Sequence, residues 1–424
     1  GVYDNSHWWR PAMPDVQTMP QYWRKNGYHV AGAGKVFHHT AGFNPLDQWD
    51  EYLPFNWDDP WDRPVANYPD VPPEKRPAFS PLNGMRPTKH EFDWGSLPKA
   101  ESDYGDARSV SWAEAFLARK HQKPFFLSLG MFRPHLPWFS PKEDFDASLA
   151  RPFFPQGDGS DLEDVPAEGK QLAAPGADDF ARTRDAGKWE ESVTAYRASI
   201  RFADRLLGRV LKALERSGQS ENTVIVFWSD NGFHLGEKGR FHKSTLWERA
   251  CHVPMTIAAP GVKPGVCKAP ASLLDLYLTM TTLCGLNTPV GMDGESLLPF
   301  LQNPGRQAEK PALTNFGPGN YAVSDGRWRY IRYRGGGEEL YDLREDPAEW
   351  RNLANDAGNR HRMGDMARWI PKSEARPVPG KDMYRFDPSN YSWELRRKAA
   401  ANQMKPEGVQ IDSGMSDRRI ETNA

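Results

Sequence analysis

The sequence predicts an α/β fold: a central, mostly parallel sheet flanked by helices, followed by a smaller α+β subdomain. Three observations predict it. Thr223-Val224-Ile225-Val226-Phe227-Trp228 is apolar and β-branched, as in strands buried inside a parallel sheet. It stops at Ser229-Asp230-Asn231-Gly232, a cluster of turn formers, and a loop dense in ionisable groups follows: His234, Glu237, Lys238, Arg240, His242 and Lys243. Upstream, Glu191 to Arg216 carries apolar residues at helical spacing and stops at Gly218, so helix and strand read as the second half of a right-handed crossover.

The elements follow in chain order. Thr18 reads as an N-cap, with Pro20 in the first turn of a helix that Gly27 stops. Tyr28 to Gly34 is a short strand running into a glycine turn, which delivers Lys35 and then His38. Residues 41–105 have little periodicity and read as a long irregular excursion over the active face. Ser109 to Arg119 is an amphipathic helix with Val110, Ala113, Phe116 and Leu117 inward. Phe125 to Gly130 is a buried strand feeding the rigid turn Arg133-Pro134-His135-Leu136-Pro137. Residues 138–190 read as a second irregular stretch. On the long helix, Tyr196, Ile200, Ala203, Leu207, Val210, Leu211 and Leu214 form the expected inner face, with Arg197, Arg201 and Arg205 along another side.

His252 to Gly261 is a further strand, and Ser272 to Leu283 a helix with Leu273, Leu276, Tyr277 and Met280 facing in. Tyr321 to Tyr333 is a hairpin pattern turning at Asp325-Gly326. From about Glu374 the chain is polar and is expected to be a loosely attached tail. The organisation is therefore 1–305, 306–372 and 373–424.

Composition excludes several classes of function. A net charge of −2 gives no reason for nucleic-acid or membrane-surface binding, and no apolar run is long enough to span a bilayer. Three cysteines, Cys251, Cys267 and Cys284, cannot all pair and lack metal-ligand spacing, so they read as buried thiols. Sixteen Trp and 37 Pro suit rigid aromatic loops.

In open α/β sheets ligands bind beyond the carboxyl ends of the strands, which puts the chemistry after Trp228. Asp230 and Asn231 offer hard oxygen ligands suited to Ca²⁺, ahead of Mg²⁺. Lys243 and His234 add cationic or proton-donating groups, as an anionic substrate requires. Asp-Asn-Gly is in most proteins a plain turn, and Lys35 with His38 alone would be a solvated loop. Several motifs occur together here.

Ser229 to Gly239, with Lys243 following, closely resembles the second signature region of type I sulfatases. These are the calcium-dependent, formylglycine-using members of the alkaline phosphatase superfamily, and the details are most similar to the iduronate 2-sulfatase-like branch. Gly34-Lys35-Val36-Phe37-His38 resembles the family's Gly-Lys-x-x-His element, and Arg133 to Pro137 its Lys/Arg-Pro-His-x-Pro element. Gly291 to Leu297, and Leu340 to Leu343 with Asn352-Leu353, match later family segments, so the likeness runs over residues 15–372. It implies an alkaline-phosphatase/sulfatase-like sandwich that hydrolyses a sulfated sugar. In that reading Lys35 contacts the sulfate and the nucleophile, His38 steadies the nucleophile, and His135 is the general acid. Lys243 offsets the sulfate charge, His234 lies at the pocket edge and touches the substrate, and Asp230 and Asn231 hold the metal.

The resemblance also implies a glycosaminoglycan or algal polysaccharide substrate. It further implies an exported compartment (periplasmic, extracellular or lysosome-like) and a formylglycine-generating maturation enzyme as partner. One departure is large: the Asp-Asp pair and the Cys-x-Pro/Ala-x-Arg motif that the family carries ahead of the element at Lys35, the Cys of which becomes the formylglycine, do not occur there. The expectation is that the sequence starts downstream of the nucleophile and is inactive by itself. Two other readings stay open. One is a phosphate mono- or diester hydrolase of the same superfamily, disfavoured because Asn rather than His follows Asp230. The other is a non-catalytic glycan-binding relative.

Overall fold

Thr18 closes a capping box at the first helix that matters for the site. Its hydroxyl accepts from the Gln21 N–H (3.3 Å), and the Gln21 side chain accepts from the Thr18 N–H (3.1 Å). The computed structural model describes residues 1–38, 44, 46–53, 92–96, 100–155, 161–387 and 392–396. Helix α1 (Met19–Lys25) ends at Gly27, whose φ of +87° favours glycine. Strand β1 (His29–Gly34) lies parallel between β2 (Glu51–Leu53) and the later strand Phe125–Gly130. Most of residues 41–105 fall outside the described residues. The described parts include β2 and Trp94–Ser96, which pairs in parallel with Trp138–Ser140.

Helix α2 (Gly105–Leu117) buries Val110, Ala113, Phe116 and Leu117 as its spacing predicts. Strand β3 (Phe125–Gly130) registers with β1 from His29↔Phe125 to Gly34↔Gly130. Residues 138–190 are more regular than expected, with helices at Lys142–Leu149, Ala167–Ala173 and Ala177–Asp185.

Helix α3 (Trp189–Arg216) is present, but its buried face is turned by about one residue from the expected one. Ala195, Ala198, Phe202 and Leu206 are buried, while Ile200 and Leu211 are 44% and 41% exposed. The cause is the arginine side. Arg205 pairs with Asp144 (2.8 Å) and Glu101 (2.7 Å), and Arg209 with Glu114 and Glu101, so that side is drawn inward against α2 and its neighbours. Small residues beside it permit the close approach.

Strand β4 (Ile225–Trp228) corrects a second expectation. It pairs antiparallel with β5 (Met255–Ala258), its only partner among the described residues, and Trp228 is 42% exposed. The run is apolar enough for a sheet interior. Among the described residues it is an edge, and the crossover from α3 is not closed. Helix α4 (Asp275–Leu283) buries Leu276 and Tyr277. The layers are then clear. Helices α2 and α3 cover one face of β1 through Phe116, Leu117, Ala213 and Leu214, while α1 and α4 cover the other through Tyr22, Trp23 and Tyr277.

The second unit is an antiparallel meander of β6 (Ala312–Asn315), β7 (Tyr321–Ser324), β8 (Trp328–Arg332) and β9 (Glu338–Asp342). Helix α5 (Arg360–Ala367) packs Met363 and Met366 on Trp328 and Tyr330. Residues 374–396 overturn the expected loose tail wherever they are described. Strands β10 (Tyr384–Asp387) and β11 (Ser392–Leu395) form a hairpin. Tyr384, Phe386 and Trp393 pack with Trp8, Trp9 and Phe37. The Lys381 N–H donates to Ser6 O and the Val378 N–H to Gly1 O (2.9 Å). Aromatic anchors spaced through a polar segment are enough to dock it. Residues 397–424, also assigned to the tail, lie outside the described residues. Cys267 is exposed, and Cys251 and Cys284 are half-buried, so the three are not uniformly buried thiols. Among the described residues no helix is long and apolar enough to cross a membrane.

Candidate active site

Lys35 leaves the sheet at Gly34, where φ is +74°. A Cβ there would lie 2.2 Å from Gly130 O, so glycine is required by space as well as by backbone conformation. The Lys35 N–H donates to Gly130 O (2.8 Å), tying the turn to the end of β3. The Lys35 ammonium lies 5.3 Å from the centroid of the Phe132 ring, and that ring lies 4.6 Å from the His135 ring.

The turn holding Phe132 and His135 is anchored by a buried acid. Asp106, in the first turn of α2, accepts from the Phe132 N–H (2.6 Å), the Arg133 N–H (3.2 Å) and Arg133 Nη1 (2.8 Å). Arg133 Nε donates to Phe139 O (2.8 Å), and Trp138 Nε1 to Pro134 O (2.9 Å). His135 Nδ1 donates to Leu136 O at 2.9 Å, because a carbonyl can only accept. That directs Nε2 as the atom to exchange a proton. Asp106→Ala is expected to lower stability by about 3 kcal/mol in urea unfolding, since it strands a buried guanidinium and two N–H groups. A loss below 1 kcal/mol would show that the anchor is dispensable.

Beyond β4, Asn231 Oδ1 accepts from Lys243 Nζ at 3.0 Å, and the Gly232 N–H donates to Ala250 O at 2.9 Å. The return strand pairs His234↔His242 and Leu235↔Phe241. Lys243 is presented between two left-handed non-glycine residues, His242 (φ +74°) and Ser244 (φ +69°). Such backbone costs on the order of 1 kcal/mol per residue and persists only where neighbours impose it. Arg240 imposes it here. Its buried guanidinium donates to four carbonyls: Phe241 and Lys243 at 2.8 Å, and Leu172 and Pro175 at 2.7 Å.

Electrostatics brings these groups together. Burial, then the charges of Lys35, Lys243 and Lys381, pushes the His38 imidazolium below the usual histidine range, against the pull of Asp230. The charged form of His38 is thus disfavoured. Burial, then Lys35, lowers the Lys243 ammonium, again opposed by Asp230. Lys35, His38, Asp230, Asn231 and Lys243 therefore share one locus, with His135 joined to it through Phe132. His234 does not join them. It is wholly buried, its Nε2 lies 2.8 Å from Thr245 Oγ1, and its ring stands edge-on to Trp247. A side chain that solvent cannot reach does not touch a substrate, so the pocket-edge expectation for His234 is corrected to packing under the loop. Lys381 carried no signal in the sequence, because only the fold brings residue 381 near residue 38.

The metal the resemblance implies meets a short ligand set. Ca²⁺ takes six to eight oxygens. Asp230 and Asn231 bring side-chain oxygens, but Asn231 Oδ1 is engaged by Lys243, and no cluster of three His, Cys, Asp or Glu able to hold a metal occurs among the described residues. These residues do not by themselves fit a calcium ion. Nor is a thiol nucleophile evident: Cys251 Sγ contacts Thr245 O (3.6 Å), and Cys284 lies beside Tyr28.

Lysines and histidines gathered beyond the carboxyl ends of β1, β3 and β4, in an α/β fold, fit an ester hydrolase of the alkaline phosphatase superfamily. Residues 1–286 match the Sulfatase family, and residues 236–374 match the family described as N-sulphoglucosamine sulphohydrolase, C-terminal. The chain is 33% identical over 409 residues to a "Sulfatase" of Formosa agariphila, covering 93% of this chain and 76% of that one. It is 30% identical over 285 residues to mouse iduronate 2-sulfatase, covering 61% of this chain and 48% of that protein. The fold is similar to a phosphonate monoester hydrolase from Silicibacter pomeroyi (TM-score 0.66, 20% identity, 91% and 84% of the two chains). It is also similar to a 2-O GAG sulfatase (TM-score 0.57, 20% identity, 83% and 72%). The chain belongs to the sulfatase family and is a type I sulfatase, a sulfuric ester hydrolase by descent.

Proposed function

We propose that this chain supplies the sulfate-binding and proton-donating side of a site that cleaves a sulfated sugar, in the manner of iduronate 2-sulfatase. The observation that carries the reading is the Lys243 Nζ–Asn231 Oδ1 hydrogen bond (3.0 Å) next to Asp230, with Lys35 and His38 within electrostatic reach of Lys243 and Asp230. Lys35 and Lys243 would take the sulfate oxygens as charge-assisted hydrogen bonds. His135, with Nδ1 tied to Leu136 O, would give the Nε2 proton of its imidazolium to the departing sugar oxygen. His38 would orient the attacking group. The calcium ion and formylglycine that the family implies are not furnished by the described residues, and no step is assigned to them. The chain alone is proposed to bind sulfated sugars without turning them over.

Calorimetric titration with a 2-sulfated uronic acid, paired with chromatographic measurement of released sulfate, tests this. Binding without release is expected. Absence of binding to any sulfate probe would sink the site assignment, and release would sink the claim of no turnover. A second reading, hydrolysis of phosphate or phosphonate esters, draws on the fold likeness to phosphonate monoester hydrolases. Tighter binding of phenylphosphonate than of the sulfate ester would favour it.

A further inference from the structure

Residues 172–179 lie outside every motif read in the sequence, yet they grip the loop that carries Lys243 at successive residues. Arg240 donates to Leu172 O and Pro175 O (2.7 Å each), and the Phe241 N–H donates to Gly176 O (3.1 Å). His242 Nε2 donates to Asp179 Oδ2 at 2.7 Å, since a carboxylate can only accept. Gly176, at φ +120°, permits this approach: a Cβ there would lie 2.5 Å from Phe241 O and 2.9 Å from His242 Cδ2. Asp179 is 4% exposed and sits in the first turn of the helix Ala177–Asp185, with Arg182 Nη1 4.0 Å from its Oδ1.

The grip matters most at residue 242. Its φ of +74° is a left-handed conformation that a non-glycine residue keeps only against a steric penalty. Arg240 holds the carbonyls of Phe241 and Lys243, on either side of it. The His242 side chain is held separately. Its ring stands edge-on to Phe92 and Phe233 (5.8 and 5.7 Å between centroids), and Asp179 fixes its Nε2 end. A ring held on its faces and at its tip leaves residue 242 little freedom to turn. The direction of the next side chain is then set, and Lys243 Nζ meets Asn231 Oδ1 at 3.0 Å. Released from Asp179, residue 242 can relax toward extended backbone and carry Lys243 away from Asn231.

We propose that Asp179 is a positioning residue for Lys243, acting through the ring of His242. This rests on the reading of Lys243 as a sulfate ligand. Asp179 does not bind the anion, which its carboxylate would repel. It fixes the ammonium that does, from 63 residues upstream of the histidine it holds.

The test uses the full chain and its Asp179→Ala, Asp179→Asn and His242→Ala variants, with two readouts. One is calorimetric titration with inorganic sulfate; the other is acetylation of Lys243 by acetic anhydride, followed by mass spectrometry. Asp179→Ala and His242→Ala should each weaken sulfate by about five- to tenfold and speed Lys243 acetylation by a similar factor. Acetylation of Lys212, exposed on α3, should not change. The double variant should lose no more than either single one, because the two side chains act as a unit. Asp179→Asn keeps an accepting oxygen and should stay within about twofold of the unmodified chain. If Asp179→Ala does not fold, His242→Ala decides. Unchanged Lys243 acetylation in a folded variant, or losses that add in the double variant, would overturn the assignment. Failure of the unmodified chain to bind sulfate would remove the sulfate reading alone, and acetylation would still decide whether Asp179 holds Lys243.

Discussion

Lys243→Ala should weaken binding of inorganic sulfate by about thirty- to a hundredfold, or ~2–3 kcal/mol, as expected for losing a charge-assisted contact in a desolvated site. Two features make this larger than for a surface lysine. Lys243 is half-buried, and its Nζ is positioned by Asn231 Oδ1 at 3.0 Å. Its backbone is also locked, because Arg240 holds its carbonyl at 2.8 Å between two left-handed residues. An effect below about threefold in calorimetry would remove Lys243 from the sulfate site. The pH dependence has a defined sign. Burial lowers the pKa of this ammonium from its ordinary 10.5, so the cation is lost at a lower pH than an exposed lysine's. Sulfate affinity should therefore begin to fall earlier as pH rises.

Arg329→Ala is expected to cost about 3–5 kcal/mol of stability in guanidinium unfolding, the usual consequence of removing one partner of a buried ionic group. Arg329 is 4% exposed and pairs with Glu248 (3.0 Å) and Glu349 (3.5 Å), and it donates to Leu246 O (3.1 Å). It joins the meander to the segment that follows Lys243. Burial pushes the Glu349 carboxyl up to about 8, against the pull of Arg329 and Lys238. Burial would raise Glu248 too, but the hydrogen bond from His252 and the charge of Arg329 outweigh it and carry Glu248 down to about 2.

The signs follow from linkage. Glu349 binds its proton more tightly folded than unfolded, where 4.5 is ordinary. Its contribution is complete below pH 4.5 and is lost as pH rises through about 8. The contribution of Glu248 is present above pH 4.5 and is lost as pH falls through about 2. Glu349→Gln should accordingly flatten the decline in stability between pH 5 and 8. An Arg329→Ala loss under 1 kcal/mol would mean the cluster is solvated rather than buried.

What could be read from the sequence was local. The glycine turn delivering Lys35 and His38, the inward face of α2, and the Asp325-Gly326 hairpin each depend on neighbours within a few residues, and each formed as its pattern dictates. The proline-flanked turn was equally plain, but not its anchor, since Asp106 looks like any acid in a first helical turn. Charge after a strand marked the loop holding Asn231 and Lys243. The same signal misled for His234, because polarity gives no sign of which side of a loop faces the protein. The burial of α3 was misjudged because arginines look solvent-facing until their carboxylates, 61 to 108 residues away, are in place. Lys381 and the aromatic clamp could not be read at all, being contacts between opposite ends of the chain.

That clamp has a consequence for assembly during synthesis. Tyr384 and Ala375 emerge from the ribosome some 370 residues after Trp8 and Tyr3, which they meet. At about 5–20 residues per second this is a delay on the order of half a minute. Strands β1 and β3 can pair and α1 can pack while Trp8 is still uncovered. Non-local closure is intrinsically slow, so the N-terminal aromatic residues wait as exposed surface. A nascent chain halted before residue 375 would hold Lys35, His38 and Lys243 but leave Trp8 and Phe37 without the aromatic residues that cover them.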